Sequence, residues 1–199
     1  HLISGGSIVL SNSSMMEGNF WRLIAKYSVT SLSGVPYNYE MMLRLGIDRL
    51  KLSSITKMTQ AGGKLEIDKI KQISKALHSK KIKFYLMYGQ TEATARMSYL
   101  PPEDISNKPG SIGKAIPNGK LWIEDKNGSS INQVNSVGEL IYSGENVSMG
   151  YSNMISDLNL GDSNNGVLRT GDLAKFDSKG YFYIKGSTNR FIKIYGNRI

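Results

Sequence analysis

Cysteine is missing from this chain of 199 residues, so neither a disulfide framework nor a thiolate metal site can be drawn. No apolar run approaches the roughly 20 residues that a membrane-crossing helix requires. The first residues, His1-Leu2-Ile3-Ser4-Gly5-Gly6, lack the charged head and apolar core of a secretory signal peptide. Acidic residues are in the minority, 16 Asp and Glu against 25 Lys and Arg, and the formal net charge is +9. An excess of that size raises nucleic acid as a partner. The lysines gather at Lys69, Lys71, Lys75, Lys80, Lys81 and Lys83, without the interleaved aromatics of a base-stacking platform. Ile70, Ile73 and Leu77 interrupt them at helical spacing, which reads as the solvated face of an amphipathic helix, and no nucleic-acid partner is expected. With 40% hydrophobic and 21% charged residues the chain is globular rather than disordered, and its length suits one domain or two subdomains.

The first half alternates strand and helix patterns. Residues 3–10 read as a short strand weakened at its start by Gly5-Gly6, and 17–27 as a helix through Phe20, Leu23, Ile24 and Tyr27. A short strand at 29–32 leads through Gly34-Val35-Pro36 into a helix with Pro36 in its first turn. A strand at 55–60, a helix at 66–79 and a strand at 82–87 follow. This alternation implies right-handed βαβ crossovers and a parallel sheet, whose ligands bind beyond the carboxyl ends of the strands. Ala61-Gly62-Gly63 and Tyr88-Gly89-Gln90-Thr91-Glu92 both fall at such ends. Beyond Pro101-Pro102 and Pro109 the pattern changes to short strands with turn signals: 120–124, the turn Asp125-Lys126-Asn127-Gly128, 137–143, 166–169 and a hairpin around Gly180. The expected class is α/β: a parallel-sheet βαβ subdomain over 1–112, then an antiparallel β-barrel-like subdomain over 113–185.

Four segments carry chemistry. Tyr88-Gly89-Gln90-Thr91-Glu92 closes an apolar strand with a ring that can stack, a glycine, a hydroxyl for phosphate and a carboxylate for Mg²⁺, although a strand entering a polar loop has the same letters. Arg169-Thr170-Gly171-Asp172-Leu173 places a carboxylate before the hairpin. Its two oxygens can accept both hydroxyls of a ribose, or it can serve an ordinary turn. Gly138-Glu139-Leu140-Ile141-Tyr142-Ser143-Gly144, ending at Gly150-Tyr151, is the third, and the run from Lys185-Gly186-Ser187-Thr188-Asn189-Arg190 to Lys193 and Asn197-Arg198-Ile199 is the fourth.

In this order and with these gaps the segments resemble the adenylate-forming superfamily, the acyl-CoA synthetases, nonribosomal adenylation domains and luciferase-type enzymes. The variant Tyr88-Gly89-Gln90-Thr91-Glu92-Ala93-Thr94 with Arg96 looks closest to bacterial AMP-forming acyl-CoA ligases. Met58-Thr59-Gln60-Ala61-Gly62-Gly63-Lys64-Leu65 is similar to the family's glycine-rich turn beside the adenine and acyl pockets. The family's phosphate loop ending in Pro-Lys has no counterpart in residues 1–199. The resemblance therefore implies an internal piece of a larger enzyme, the later half of its N-terminal domain, with 186–199 as a hinge toward a further domain.

The implied reaction uses ATP and Mg²⁺ to activate a small carboxylic acid as an acyl-adenylate, then passes the acyl group to CoA, or to a carrier protein. By resemblance Thr91 binds phosphate, Glu92 holds Mg²⁺, Tyr88 stacks on adenine, Gly89 lets backbone approach the nucleotide closely, Asp172 holds the ribose and Lys193 serves the thioester-forming state. Gly62 and Gly63 let adenine and acyl group pass close to backbone. Val35, Pro36, Tyr37 and Met41 suit an acyl pocket or an ordinary helix core. Ser187 stands where relatives carry an arginine, Arg190 is the nearest cation in sequence to replace it, and Leu86 stands where many relatives have an asparagine. A degenerate AMP-binding homologue is the alternative reading. A cytoplasmic location and an inactive isolated segment are the remaining expectations.

Overall fold

The computed structural model of the chain describes residues 2–188 and the backbone of two further short strands, Lys193–Ile194 and Asn197–Arg198. The chain divides into two compact units, His1–Tyr85 and Leu86–Ile199.

The first unit is built around three helices and parallel strands. Helix α1 (Gly18–Lys26) is followed by β1 (Ser31–Gly34), α2 (Pro36–Leu45), β2 (Lys57–Gln60), α3 (Ile67–Ser79) and the start of β3 (Lys83–Tyr88). Strands β1 and β2 pair in parallel from Ser31 opposite Lys57 to Gly34 opposite Gln60, and β3 follows β2 in the strand order. Helix α2 starts on Pro36, where the fixed φ suits a first turn and the missing N–H costs nothing. The Asn38 side chain accepts the Val35 N–H at 2.9 Å and closes that turn. Helix α3 buries Ile70, Ile73 and Leu77, one face at i, i+3 and i+7, and leaves its lysines outward. Tyr39 is the keystone of this core. Its ring meets Phe84 at 5.1 Å and its hydroxyl donates to the Thr59 carbonyl at 2.7 Å. Burial holds the Tyr39 hydroxyl well above the usual tyrosine range, so it stays a donor.

The strand expected at 3–10 does not form. Gly5 takes φ +72° and its N–H closes a turn onto Leu2, and among the described residues no strand lies alongside 6–10. A β pattern without a partner ladder leaves its backbone in water. Strand β1 begins two residues later than expected and ends on Gly34.

In the second unit the end of β3 pairs antiparallel with β4 (Ser98–Leu100), which pairs antiparallel with β5 (Lys114–Ala115). Four consecutive antiparallel strands make the second sheet: β6 (Lys120–Glu124), β7 (Gly138–Ser143), β8 (Val167–Phe176) and β9 (Phe182–Ser187). Strands β10 (Lys193–Ile194) and β11 (Asn197–Arg198) form a separate antiparallel pair. The fold is thus α/β with a mixed strand arrangement first and an antiparallel sheet after it. What the sequence read as two pieces, 166–169 and a hairpin strand, is one ten-residue strand, β8, with Gly171 at φ +68° inside it.

The two expected turns are built alike. Asp125 Oδ1 accepts the N–H groups of Asn127 and Ser129, and Asp177 Oδ1 accepts those of Lys179 and Tyr181, each turn closing on a glycine of positive φ.

Gly113 is where the chain passes from one sheet to the other. Ile112 N–H donates to the Phe182 carbonyl and Phe182 N–H to the Gly113 carbonyl, along the edge of β9. The next residue, Lys114, already pairs with Tyr99 in β4. Gly113 has φ +82°, and a Cβ there would stand 1.8 Å from the Tyr99 carbonyl oxygen. Gly113→Ala should therefore destabilise the protein by about 3 kcal/mol, strain and overpacking together, read as a fall in the urea midpoint.

Asp177 adds a pH-dependent term. Burial works against its charge, but the Lys108 ammonium at 2.5 Å and the amides of Tyr181 and Lys179 outweigh it and hold the carboxyl at about 2. A carboxyl lowered on folding stabilises above its unfolded pKa, near 4, and the contribution is lost as pH falls through about 2. Asp177→Asn should cost roughly 2 kcal/mol at pH 7, and the difference from the parent protein should close between about pH 4 and pH 2 in denaturation curves.

Candidate functional site

Strand β3 carries its last residue, Tyr88, into the centre of the second unit. Its ring packs against two buried clusters at once, Ala93, Met97, Tyr142 and Leu168 on one hand, Ile123, Leu140, Ala174 and Phe182 on the other. The hydroxyl donates to Asp172 Oδ2 at 2.6 Å. Gln90 Nε2 donates to the Thr170 carbonyl at 2.8 Å and reaches the same Asp172 oxygen at 3.4 Å. Thr170 Oγ1, itself bonded to the Leu140 carbonyl, accepts the Asp172 N–H at 3.1 Å. The end of β3 and the middle of β8 are thus laced together by side chains more than 80 residues apart. Burial, then the Asp172 charge and its hydrogen bond, raise the Tyr88 hydroxyl far above its ordinary range, so it remains the donor in this pair.

After Tyr88 the chain turns back on itself. Met97 N–H donates to the Tyr88 carbonyl at 2.9 Å, closing a loop over residues 89–96. The loop holds a short 3₁₀ turn, Thr91–Ala93, then Thr94 at φ +48° and Ala95 at φ +68°. Two successive non-glycine residues in the left-handed region hold only where their surroundings fix them. Gly89 is required by this loop: a Cβ there would stand 2.5 Å from the Ala95 carbonyl oxygen and 2.9 Å from Arg96 Cα.

Glu92, within the 3₁₀ turn, accepts the Tyr151 hydroxyl on its carboxylate, and its carbonyl accepts the Ser148 N–H at 2.7 Å. Thr91 is exposed beside it. Asn146 holds the rest of the loop through its side-chain amide. A single carboxylate at this turn has the chemistry of a Mg²⁺ that reaches protein through one or two carboxylates and the substrate's phosphates. Among the described residues no group of three or more His, Cys, Asp or Glu forms a self-sufficient metal cage.

Of the residues singled out from the sequence, Tyr88, Gly89, Thr91, Glu92 and Asp172 lie in the second unit, with Tyr88 bonded to Asp172. Gly62 and Gly63 lie in the first unit after β2, where Cβ atoms would stand 3.2 Å from Val35 Cγ1 and from Pro36 Cγ. Met41 is buried in α2 and Tyr37 exposed at its start. Ser187 Oγ donates to the Gly171 carbonyl at 3.0 Å, next to Asp172 in the chain. Arg190 and the Lys193 side chain lie outside the described residues. Gln90, Thr170 and Asn146 received no role from the sequence, because the bonds that tie them into the site, from Gln90 to Thr170, from Thr170 to Leu140 and from Asn146 to Ala93 and Arg96, span 30 to 80 residues and no periodicity joins them.

A family model described as AMP-binding enzyme matches residues 1–152. The chain is 28% identical over 200 residues to luciferin 4-monooxygenase of Photinus pyralis, covering 100% of the chain and 36% of that protein. It is 28% identical over 183 residues to oxalate–CoA ligase of Arabidopsis thaliana, covering 90% of the chain and 34% of that protein. Among solved structures it is similar to a double mutant of o-succinylbenzoate CoA synthetase from Bacillus subtilis bound with a product analogue. The TM-score there is 0.82 with 25% identity, over 99% of the chain and 39% of that one. The same enzyme in complex with ATP and magnesium ion gives a TM-score of 0.71 and 26% identity, over 91% of the chain and 36% of that one. The chain thus spans about a third of the length of the curated relatives it matches.

Gly89→Ala should push residues 95–96 outward and cost roughly 1–3 kcal/mol of stability, the range for overpacking. A urea midpoint equal to that of the parent protein would show that the loop yields without cost.

Proposed function

The chain belongs to the AMP-binding enzyme family, and on that footing we propose that its enzyme activates a carboxylic acid with ATP and transfers the acyl group to CoA. The observation that carries this reading is the Tyr88–Asp172 pair standing at the root of the loop that holds Thr91 and Glu92. In the first step a substrate carboxylate oxygen bonds to the α-phosphorus of ATP and the bond to pyrophosphate breaks. In the second a thiolate sulfur bonds to the acyl carbon and AMP leaves. The in-line displacement at phosphorus and the acyl transfer that follows are both accelerated by positioning and by fixed charge.

Asp172 keeps Oδ2 on Tyr88, and Oδ1 is the oxygen we assign to the ribose hydroxyls. With its hydroxyl engaged by Asp172, Tyr88 offers only ring surface to adenine. Thr91 meets the phosphates, and Glu92 holds Mg²⁺, which neutralises phosphate charge when bound. The roles of Gly62, Gly63, Arg190 and Lys193 follow from the family resemblance. CoA is chosen over a carrier protein because named CoA ligases stand among the relatives and structures. The functional divisions we propose are 1–112, 113–185 and the hinge 186–199, which need not coincide with the packing units. Residues 1–199 alone are proposed to be inactive, and the enzyme to work in the cytoplasm; among the described residues no helix is long and apolar enough to cross a membrane.

The test is carboxylate-dependent ATP–pyrophosphate exchange by the full-length protein over a panel of aliphatic and aromatic acids. Exchange that requires Mg²⁺ is expected with at least one acid. Asp172→Ala should weaken ATP binding by roughly 1.5–3 kcal/mol, the range for hydrogen bonds to a charged group. A folded protein that exchanges with no acid would overturn the reading.

A further inference from the structure

The Asn146 side chain bonds twice to the loop that carries Thr91 and Glu92. Both of its amide protons are used on that loop, Nδ2 donating to the Ala93 carbonyl at 2.7 Å and to the Arg96 carbonyl at 2.9 Å. Its Oδ1 accepts the Tyr142 hydroxyl at 2.7 Å. That third bond anchors the amide from behind. Tyr142 is fully buried in β7, and its hydroxyl sits over Gly119 and Gly144, where Cβ atoms would come within 2.6 and 2.5 Å of it. The tyrosine cannot swing away, and since the Ala93 and Arg96 carbonyls can only accept, the NH₂ group must face the loop and leave Oδ1 on Tyr142.

The backbone around Asn146 continues the grip. Thr94 Oγ1 donates to the Asn146 carbonyl at 3.4 Å, and Ser148 N–H donates to the Glu92 carbonyl at 2.7 Å. Tyr151, three residues on from Ser148, donates its hydroxyl to the Glu92 carboxylate. The two carbonyls that Asn146 holds flank Thr94 and Ala95, the two residues in the left-handed region. A loop with two such residues needs an external restraint to keep one conformation, and the Asn146 amide spans the strained pair from one side to the other.

We propose that Asn146 is a positioning residue for the nucleotide–metal site: it fixes residues 93–96, and through them the place of Glu92 relative to Mg²⁺ and the phosphates. It touches neither nucleotide nor metal. The inference rests on the proposed reading of Glu92 as the Mg²⁺ carboxylate. Tyr142 is the anchor behind it, and Tyr151 the restraint on the carboxylate itself.

The test uses the full-length protein with Asn146→Ala and Tyr142→Phe, and two readouts. The first is hydrogen exchange at the amides of Ala93, Thr94, Ala95 and Ser148. Asn146→Ala should speed exchange there about tenfold, as two neutral hydrogen bonds imply, and leave β2 unchanged. Tyr142→Phe keeps the buried ring and should speed it about threefold, because Oδ1 then loses the donor that anchors the amide. The second readout is calorimetric titration with ATP, once with Mg²⁺ and once with EDTA. Asn146→Ala should lose about tenfold in affinity with Mg²⁺ and less than twofold without it. Equal losses in the two titrations, or unchanged exchange at the four amides in both variants, would overturn the proposal. Should Asn146→Ala not fold, Tyr142→Phe decides it alone by the same criteria. A parent protein that binds no ATP would instead sink the functional reading, and the exchange data would still decide whether Asn146 holds the loop.

Discussion

The hydrogen bond from Tyr88 to Asp172 is the constraint on which the second unit's site depends. Tyr88 ends β3, and Asp172 lies in β8 just past Gly171, a glycine of positive φ within the strand. A ring shared by two buried clusters fixes where the hydroxyl can be, and the hydroxyl in turn fixes one oxygen of the carboxylate. Gln90 reaches the same carboxylate oxygen and Thr170 Oγ1 accepts the Asp172 backbone N–H, so both the carboxylate and the backbone of Asp172 are held. Breaking it would leave a half-buried carboxylate short of its best donor, which costs more than the bond itself contributes.

The loop after Tyr88 inherits its position from that anchor and its shape from elsewhere. Met97 returns to pair beside Tyr88, so both ends of the loop are pinned on the sheet. Between them Gly89 makes room for the Ala95 carbonyl, and residues 146–151 hold the outer side. The site is thus a strand end, a strained loop and a clasp contributed by the segment after β7. Each part would be unremarkable alone; their assembly is what puts the Thr91 hydroxyl and the carboxylates of Glu92 and Asp172 into one unit.

Much of the scaffold was legible in the sequence. The i, i+3, i+7 spacing of Ile70, Ile73 and Leu77 gave α3, and the run at 120–124 gave β6 residue for residue. Pro36 marked the start of α2, and the turns at Asp125–Gly128 and around Gly180 were read from their turn residues. These features are local: the residues that decide them lie within a few positions of each other. Residues 3–10 failed because a strand is decided by its neighbour and not by its own letters. Of the site, Tyr88, Glu92 and Asp172 were picked out by resemblance, but not their bonding. The Tyr88–Asp172 bond spans 84 positions and the Asn146 clasp about 50, so neither leaves a periodic trace. Gly89 was read for the approach of a ligand, whereas its need to clear Ala95 of its own loop was visible only in three dimensions.

A double-mutant cycle on Tyr88→Phe and Asp172→Ala, read by urea denaturation of the full-length protein, measures the central constraint directly. Each single change should destabilise, and the double change should cost less than their sum, giving a coupling of about 1–3 kcal/mol. Additivity to within about 0.3 kcal/mol would contradict it, since two groups that share no interaction contribute independently.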